Sequence, residues 1–311
     1  MPGWRRWSGA LVAGVALLAC TGDDGRLEGD GAPRFEAPAH APRLALVLGS
    51  GGPRGFAHVG ALLALEDAGI RPDLVVGSSA GALVGALFAA GIPARDLEAL
   101  AQEVNVLEFF EWRMATGRPA SGRALQDFVN RHLDGRPIER LPIAFAAVAA
   151  RQDTREIAVF NAGDAGGAVR ASSASPGQFE PVRIRGAAFV DGDEASPVPI
   201  AAARALGARV VVAVDVSAHA ASTPERAPRE WVRKDERRAA RVRAEAPGAD
   251  VLVHPDIGYY AGHDADYRRR VIAIARRETE RRMPEIRAAV ARADLAQPSA
   301  TVSSLPGVAT R

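Results

Sequence analysis

Ser79 is at the centre of Gly77-Ser78-Ser79-Ala80-Gly81, a G-x-S-x-G motif between a short apolar run and a helical pattern. Small residues on both sides permit the tight, strained strand-to-helix turn that lifts a serine hydroxyl out of a sheet, where it acts as a nucleophile. A second glycine cluster, Gly49-Ser50-Gly51-Gly52-Pro53-Arg54-Gly55, also lies between an apolar run and a helical pattern. Glycines let backbone N–H groups approach a ligand, and the positive end of the following helix favours an anion, either a phosphate or a transient oxyanion. The loop lacks the Gly-Lys-Ser/Thr ending of a P-loop, and Arg54 stands where a dinucleotide fingerprint has glycine, which argues against a nucleotide.

A serine nucleophile needs a base. His254 and His219 follow late strands, the positions a Ser–Asp–His triad of the α/β-hydrolase type uses, whereas His58 and His132 fall inside helical patterns and His40 in a Pro/Gly-rich stretch. The rival base is a carboxylate, and Asp191 stands out by its turn, Val190-Asp191-Gly192. On residue types alone both bases stay open, as does a non-enzymatic, lipid-anchored binding protein that keeps the fold with a silent site.

The elements that position these groups read as one α/β domain. Leu44-Ala45-Leu46-Val47-Leu48 and Asp73-Leu74-Val75-Val76 are continuous apolar runs, as expected of strands buried on both faces. Helical spacing over Phe56 to Ala68 and Ala80 to Ala90 alternates with them, which implies parallel pairing through right-handed crossovers. Helices are expected over Ala94 to Phe110, Gly122 to Leu133, Pro197 to Leu206 and Asp266 to Arg292. Strands are expected at Ile143 to Ala150, Glu156 to Phe160, Ala188 to Val190, Arg209 to Val216 and Val251 to His254, the first two forming a hairpin around Asp153-Thr154. Pro224 to Glu245 reads only as a charged segment. Leu107 to Met114, with Phe109, Phe110 and Trp112, is either core or a lipid-facing lid.

Across residues 43 to 290 the chain resembles the bacterial patatin-like phospholipases. The resemblance rests on G-x-G-G-x-R-G at 49–55, G-x-S-x-G at 77–81, Ala-Ser-x-x-x-Pro beginning at Ala171, and Asp191-Gly192, all in the family's order and spacing. It implies a three-layer α/β/α sandwich with a mostly parallel central sheet, a Ser79–Asp191 dyad without histidine, and hydrolysis of acyl lipid or phospholipid esters without a metal or organic cofactor. In that mechanism the N–H groups of Gly51 and Gly52 hold the oxyanion, and Arg54 stiffens the loop or adds positive charge beside it. Three residues depart from the family's pattern: Ser50 replaces a frequent glycine, Pro53 removes one N–H, and Asp193 stands where glycine or alanine is usual. A second carboxylate so close should raise the pKa of Asp191 by like-charge repulsion.

The N-terminus carries a different signal. Arg5 and Arg6 precede an apolar run, Gly9 to Ala19, too short to span a bilayer, and the run closes on Leu17-Leu18-Ala19-Cys20. This resembles a lipoprotein signal, so residues 1–20 are expected to be a signal peptide ending at Cys20, the lipidated residue. Such an anchor would hold the protein at a membrane surface of a bacterial cell envelope, on the periplasmic or outer-membrane face. Residues 21–42, rich in Gly, Pro and Asp, are expected to be a flexible tether, 43–295 the catalytic domain and 296–311 a disordered tail. Cys20 is the sole cysteine of 311 residues, which excludes disulfides and cysteine-based metal sites in the domain. Arginines interspersed with acids, at a formal net charge of +2, leave no basic stripe for nucleic acid.

Overall fold

In the computed structural model, residues 26–110 and 117–295 are described; Cys20, Trp112 and the expected tail lie outside them. Eight strands form one sheet: β1 (Leu44–Leu48), β2 (Leu74–Ser78), β3 (Ala144–Arg151), β4 (Ile157–Phe160), β5 (Val182–Ile184), β6 (Ala187–Asp191), β7 (Val210–Val214) and β8 (Val251–Val253). Their order is β5-β6-β3-β2-β1-β7-β8, with β4 also paired to β3. The pairs β3-β2-β1-β7-β8 are parallel, while β4, β5 and β6 make antiparallel pairs. The expected hairpin at Asp153-Thr154 is the antiparallel β3-β4 pair.

The continuous apolar runs follow from burial on both faces. Leu44, Leu46 and Leu48 of β1 pack into a large core with α1 (Phe56–Asp67), α2 (Ala80–Ala89), α3 (Ala94–Glu103), α4 (Arg123–His132), α5 (Ala165–Ser172) and α8 (Ala265–Leu295). Ala45 and Val47 face a smaller core built with α6 (Ile200–Ala205) and Val242 of α7 (Arg229–Glu245). Helices on both faces of a mixed sheet, parallel at its centre, make the three-layer α/β/α sandwich.

Three expectations need correction. The helix read over Ala94 to Phe110 stops at Glu103, where Val104 turns extended, and a short 3-10 turn covers Val106–Phe110. Arg268 caps this end: its Nη1 donates to the carbonyls of Ala101 (2.9 Å) and Val104 (2.8 Å), satisfying helix-end acceptors from outside the helix. The charged segment up to Glu245 is largely the helix α7, whose few apolar residues hid its buried face. The part of the expected tether from residue 26 onward lies against the domain. Leu27 pairs with Ile184 and Arg34 with Ala162, and Ala32 is buried. The sheet edge offers open backbone groups, and this segment fills them.

Candidate active site

Ser79 occupies the turn between β2 and α2, with φ 53° and ψ −120°, a conformation that costs a non-glycine residue on the order of 1–3 kcal/mol. The turn is packed too closely for larger neighbours: a Cβ on Gly81 would come within 2.1 Å of the Leu48 carbonyl oxygen. From across the site the Ser172 hydroxyl accepts a hydrogen bond from the Ser79 N–H (2.9 Å) and donates to the Val148 carbonyl (2.6 Å). Ser172 thus ties the strained turn to α5 and β3. The sequence marked it only as part of a motif, with no role.

Sheet register brings Asp191 to Ser79. On β3, Val148 pairs with Ser78 of β2 and the next residue, Ala149, pairs with Asp191 at the end of antiparallel β6. The strands that lead to Ser79 and Asp191 therefore meet at adjacent positions of one shared partner. The Ser79 hydroxyl donates to Asp191 Oδ2 at 2.8 Å, and the Asp193 N–H donates to Asp191 Oδ1 at 2.9 Å. The turn after Asp191 is equally tight, since a Cβ on Gly192 would lie 2.3 Å from the Val148 carbonyl oxygen.

Both members of the pair are buried. Burial, followed by the negative charge of Asp193, pushes Asp191 up to about 7, against the opposing hydrogen bonds from Asp193 N–H and Ser79 and the pull of Lys234. The expected repulsion from Asp193 is present, second to desolvation. Asp193 itself, despite burial, is held below the usual carboxylate range by Arg238 and the Ser50 hydroxyl. A carboxylate raised this far suits a general base working near neutral pH.

The glycine loop faces the same point. Among the described residues, no acceptor takes the N–H groups of Gly51 and Gly52, and both residues line the cavity with Ser79. Arg54 lines it too, donating through Nη2 to the Tyr259 carbonyl, which ties the loop to the segment before α8.

His254 and His219 are not brought to Ser79. Their rings stack on each other at 3.9 Å, and His254 Nε2 lies 3.0 Å from the Ser217 carbonyl and 3.6 Å from Asp215 Oδ2. His58 is buried under the glycine loop with Nε2 2.7 Å from the Gly49 carbonyl, and burial pushes its pKa down to about 4. It is a neutral structural donor.

Ser79 and Asp191 line a cavity of about 580 Å³, a size typical of small-ligand sites. Leu83, Val84, Leu87, Leu97, Leu100 and Phe109 are among the apolar side chains lining it. Phe109 also packs edge-on to Phe128, with ring centroids 5.1 Å apart. Of the stretch considered as core or lid, Phe109 and Phe110 line this cavity while Leu107 is exposed.

Residues 46–204 match the family model described as patatin-like phospholipase. The chain belongs to that family. An uncharacterized NTE family protein of Mycobacterium bovis is 33% identical over 180 residues, covering 57% of this chain and 50% of the relative. The human patatin-like phospholipase domain-containing protein 6 is 33% identical over 181 residues, which are 56% of this chain and 13% of the relative. Lysophospholipase NTE1 of Coccidioides immitis is 31% identical over 193 residues, or 58% of this chain and 12% of the relative. The chain thus spans half the length of its bacterial relative and a small part of the eukaryotic ones. Among solved structures, VipD from Legionella pneumophila is similar at 13% identity and a TM-score of 0.48, covering 83% of this chain and 70% of that one. Human GIVD cytosolic phospholipase A2 is similar at 13% identity and a TM-score of 0.47, covering 81% and 59%.

Proposed function

We propose that this patatin-like protein is a serine hydrolase of acyl-lipid carboxylic esters, with Ser79 as nucleophile and Asp191 as its base. The carrying observation is the 2.8 Å hydrogen bond from the Ser79 hydroxyl to Asp191 at the wall of an apolar cavity. Ser79 Oγ attacks the ester carbonyl as Asp191 takes its proton, and the carbonyl oxygen becomes an oxyanion facing the N–H groups of Gly51 and Gly52. Each such donor contributes roughly 3–4 kcal/mol in comparable sites. Collapse breaks the C–O bond, and the leaving alkoxide takes the proton from Asp191. Asp191 then accepts a proton from water as the hydroxide adds to the acyl carbon. That tetrahedral adduct expels Ser79, which recovers a proton from Asp191, and the fatty acid leaves.

The apolar lining fits an acyl chain, and the relative named a lysophospholipase makes a lysophospholipid the first substrate to try. We assign Cys20 a lipid anchor that places this chemistry on a membrane of the bacterial envelope. The support is the sequence alone: a basic start, a short apolar run and Leu-Leu-Ala-Cys at 17–20.

Purified protein should label with a fluorophosphonate and release fatty acid from lysophospholipid, and Ser79→Ala should abolish both. Asp191→Asn should lose at least about 1000-fold in kcat, while His254→Ala and His219→Ala stay near wild type. Full activity in Ser79→Ala, or loss in either histidine variant with Asp191→Asn active, would overturn the dyad.

A further inference from the structure

We propose that Arg238 is a positioning residue for this site, clamping the glycine loop to the turn that carries Asp191 so that oxyanion donors and base share one frame. The proposal rests on the Ser79–Asp191 reading above. Arg238 lies on α7, on the face that turns Trp231, Lys234 and Asp235 toward the cavity at helical spacing. Trp231 is exposed at one end of this face, and Arg238 is buried.

The guanidinium has two working edges. Nε donates to Asp193 Oδ1 at 2.8 Å. Nη2 donates to the Ser50 carbonyl and, at 3.0 Å, to the Ser50 hydroxyl. The Ser50 hydroxyl in turn donates to the same Asp193 oxygen, and Asp215 Oδ1 lies 3.9 Å from Nη2.

A buried arginine is costly unless its charge and its donors are met, and a planar fork meets two partners at fixed angles where a lysine ammonium would not. Here the two partners belong to the two halves of the machinery. Ser50 directly precedes Gly51 and Gly52, which line the cavity and whose N–H groups have no acceptor among the described residues. Asp193 gives its backbone N–H to Asp191 Oδ1, two residues away. One guanidinium therefore fixes the separation between oxyanion site and base, from a helix far later in the chain than either. Ser50 and Asp193, which depart from the motif separately in the sequence, form one unit with Arg238 in space.

The decisive measurement is steady-state kinetics of the full chain on a soluble short-chain ester near pH 9, above the value of about 7 to which Asp191 is raised. Arg238→Met should lower kcat about 100-fold with KM changed less than about threefold, and slow fluorophosphonate labelling of Ser79 in parallel. A folded Arg238→Met protein with kcat within about threefold of wild type would overturn the proposal. If that variant does not fold, Asp193→Ala and Asp193→Asn decide. Asparagine keeps the acceptor oxygen that alanine removes. A clamp therefore requires kcat at least about tenfold lower in Asp193→Ala than in Asp193→Asn. Equal activities, whether both low or both high, would overturn it, because they assign Asp193 either a charge effect alone or no effect. Ser79→Ala on the same ester tests the underlying hydrolase reading independently.

Discussion

Asp191→Asn should make the protein more stable, by an amount that grows with pH. Burial, then the charge of Asp193, raises the Asp191 pKa from 3.8 to about 7. Between those values the native protein keeps a proton on Asp191 that the unfolded chain has released. The stability linked to that proton is complete below 3.8 and is lost as pH rises through about 7, above which the folded state holds a buried carboxylate. Asparagine never ionises, so it escapes that cost. At about 1.4 kcal/mol per pKa step the full cost approaches ~4 kcal/mol, and between about pH 5 and pH 9 the gap between variant and wild type should widen by about 3 kcal/mol. The asparagine side chain also lacks one of the two acceptor oxygens that Asp191 offers to Ser79 and the Asp193 N–H. That costs about 1 kcal/mol at every pH, so the readout is the slope and not the offset. Urea unfolding of both proteins across this pH range measures it. A stability difference that stays flat with pH, or that shrinks as pH rises, would refute the claim that Asp191 is a desolvated carboxylate.

The pH profile of kcat/KM should rise through an inflection near 7, because the base works only when ionised, and Asp193→Asn should move that inflection to lower pH by removing a like charge. An unmoved inflection would assign the titration to another group. Gly81→Ala should destabilise the fold by at least about 3 kcal/mol in chemical denaturation, since its Cβ would sit 2.1 Å from the Leu48 carbonyl oxygen; wild-type stability would contradict that packing. Leu100→Trp, at a half-buried position on the cavity wall, should cut hydrolysis of long-chain esters about tenfold while an acetate ester keeps its rate within about threefold. Equal losses on both esters would mean that the acyl chain lies elsewhere.

What the sequence made legible was local. The strand-to-helix turn at Ser79 and the glycine loop each fit within a few consecutive residues, and the buried strands β1, β2 and β7 read as unbroken apolar runs. What stayed hidden depends on contacts between distant segments. Ser172 reaches Ser79 across 93 positions, and Arg238 reaches Ser50 across 188. A buried arginine on a helix as charged as α7 looks like any other surface arginine until its partners are placed. Likewise α5, rich in glycine and alanine, carries no apolar periodicity, and the segment from residue 26 to 42 shows its pairing only when the open sheet edge is there to receive it.

The proposed base, Asp191, lies where the layout of a parallel sheet does not point. A parallel sheet collects ligand groups at the carboxyl ends of its strands, and His219 and His254 follow β7 and β8 at those ends, so position alone recommends them. Yet β7 and β8 lie on the far side of β1 from β2, which carries Ser79. Asp191 arrives by a route that the parallel rule does not anticipate. Strand β6 runs antiparallel to β3, so its chain travels toward the register where β2 ends and sets Asp191 beside Ser79. An antiparallel strand thus delivers a short carboxylate head-on to the turn, where the same sheet's late parallel strands place two histidines on the opposite flank. Such a carboxylate is too acidic to serve as a base when solvated, and its burial beside the cavity is what raises it to about 7. In the mechanism proposed above, topology supplies the position of Asp191 and desolvation its basicity, so that the Ser–Asp pair would need no imidazole.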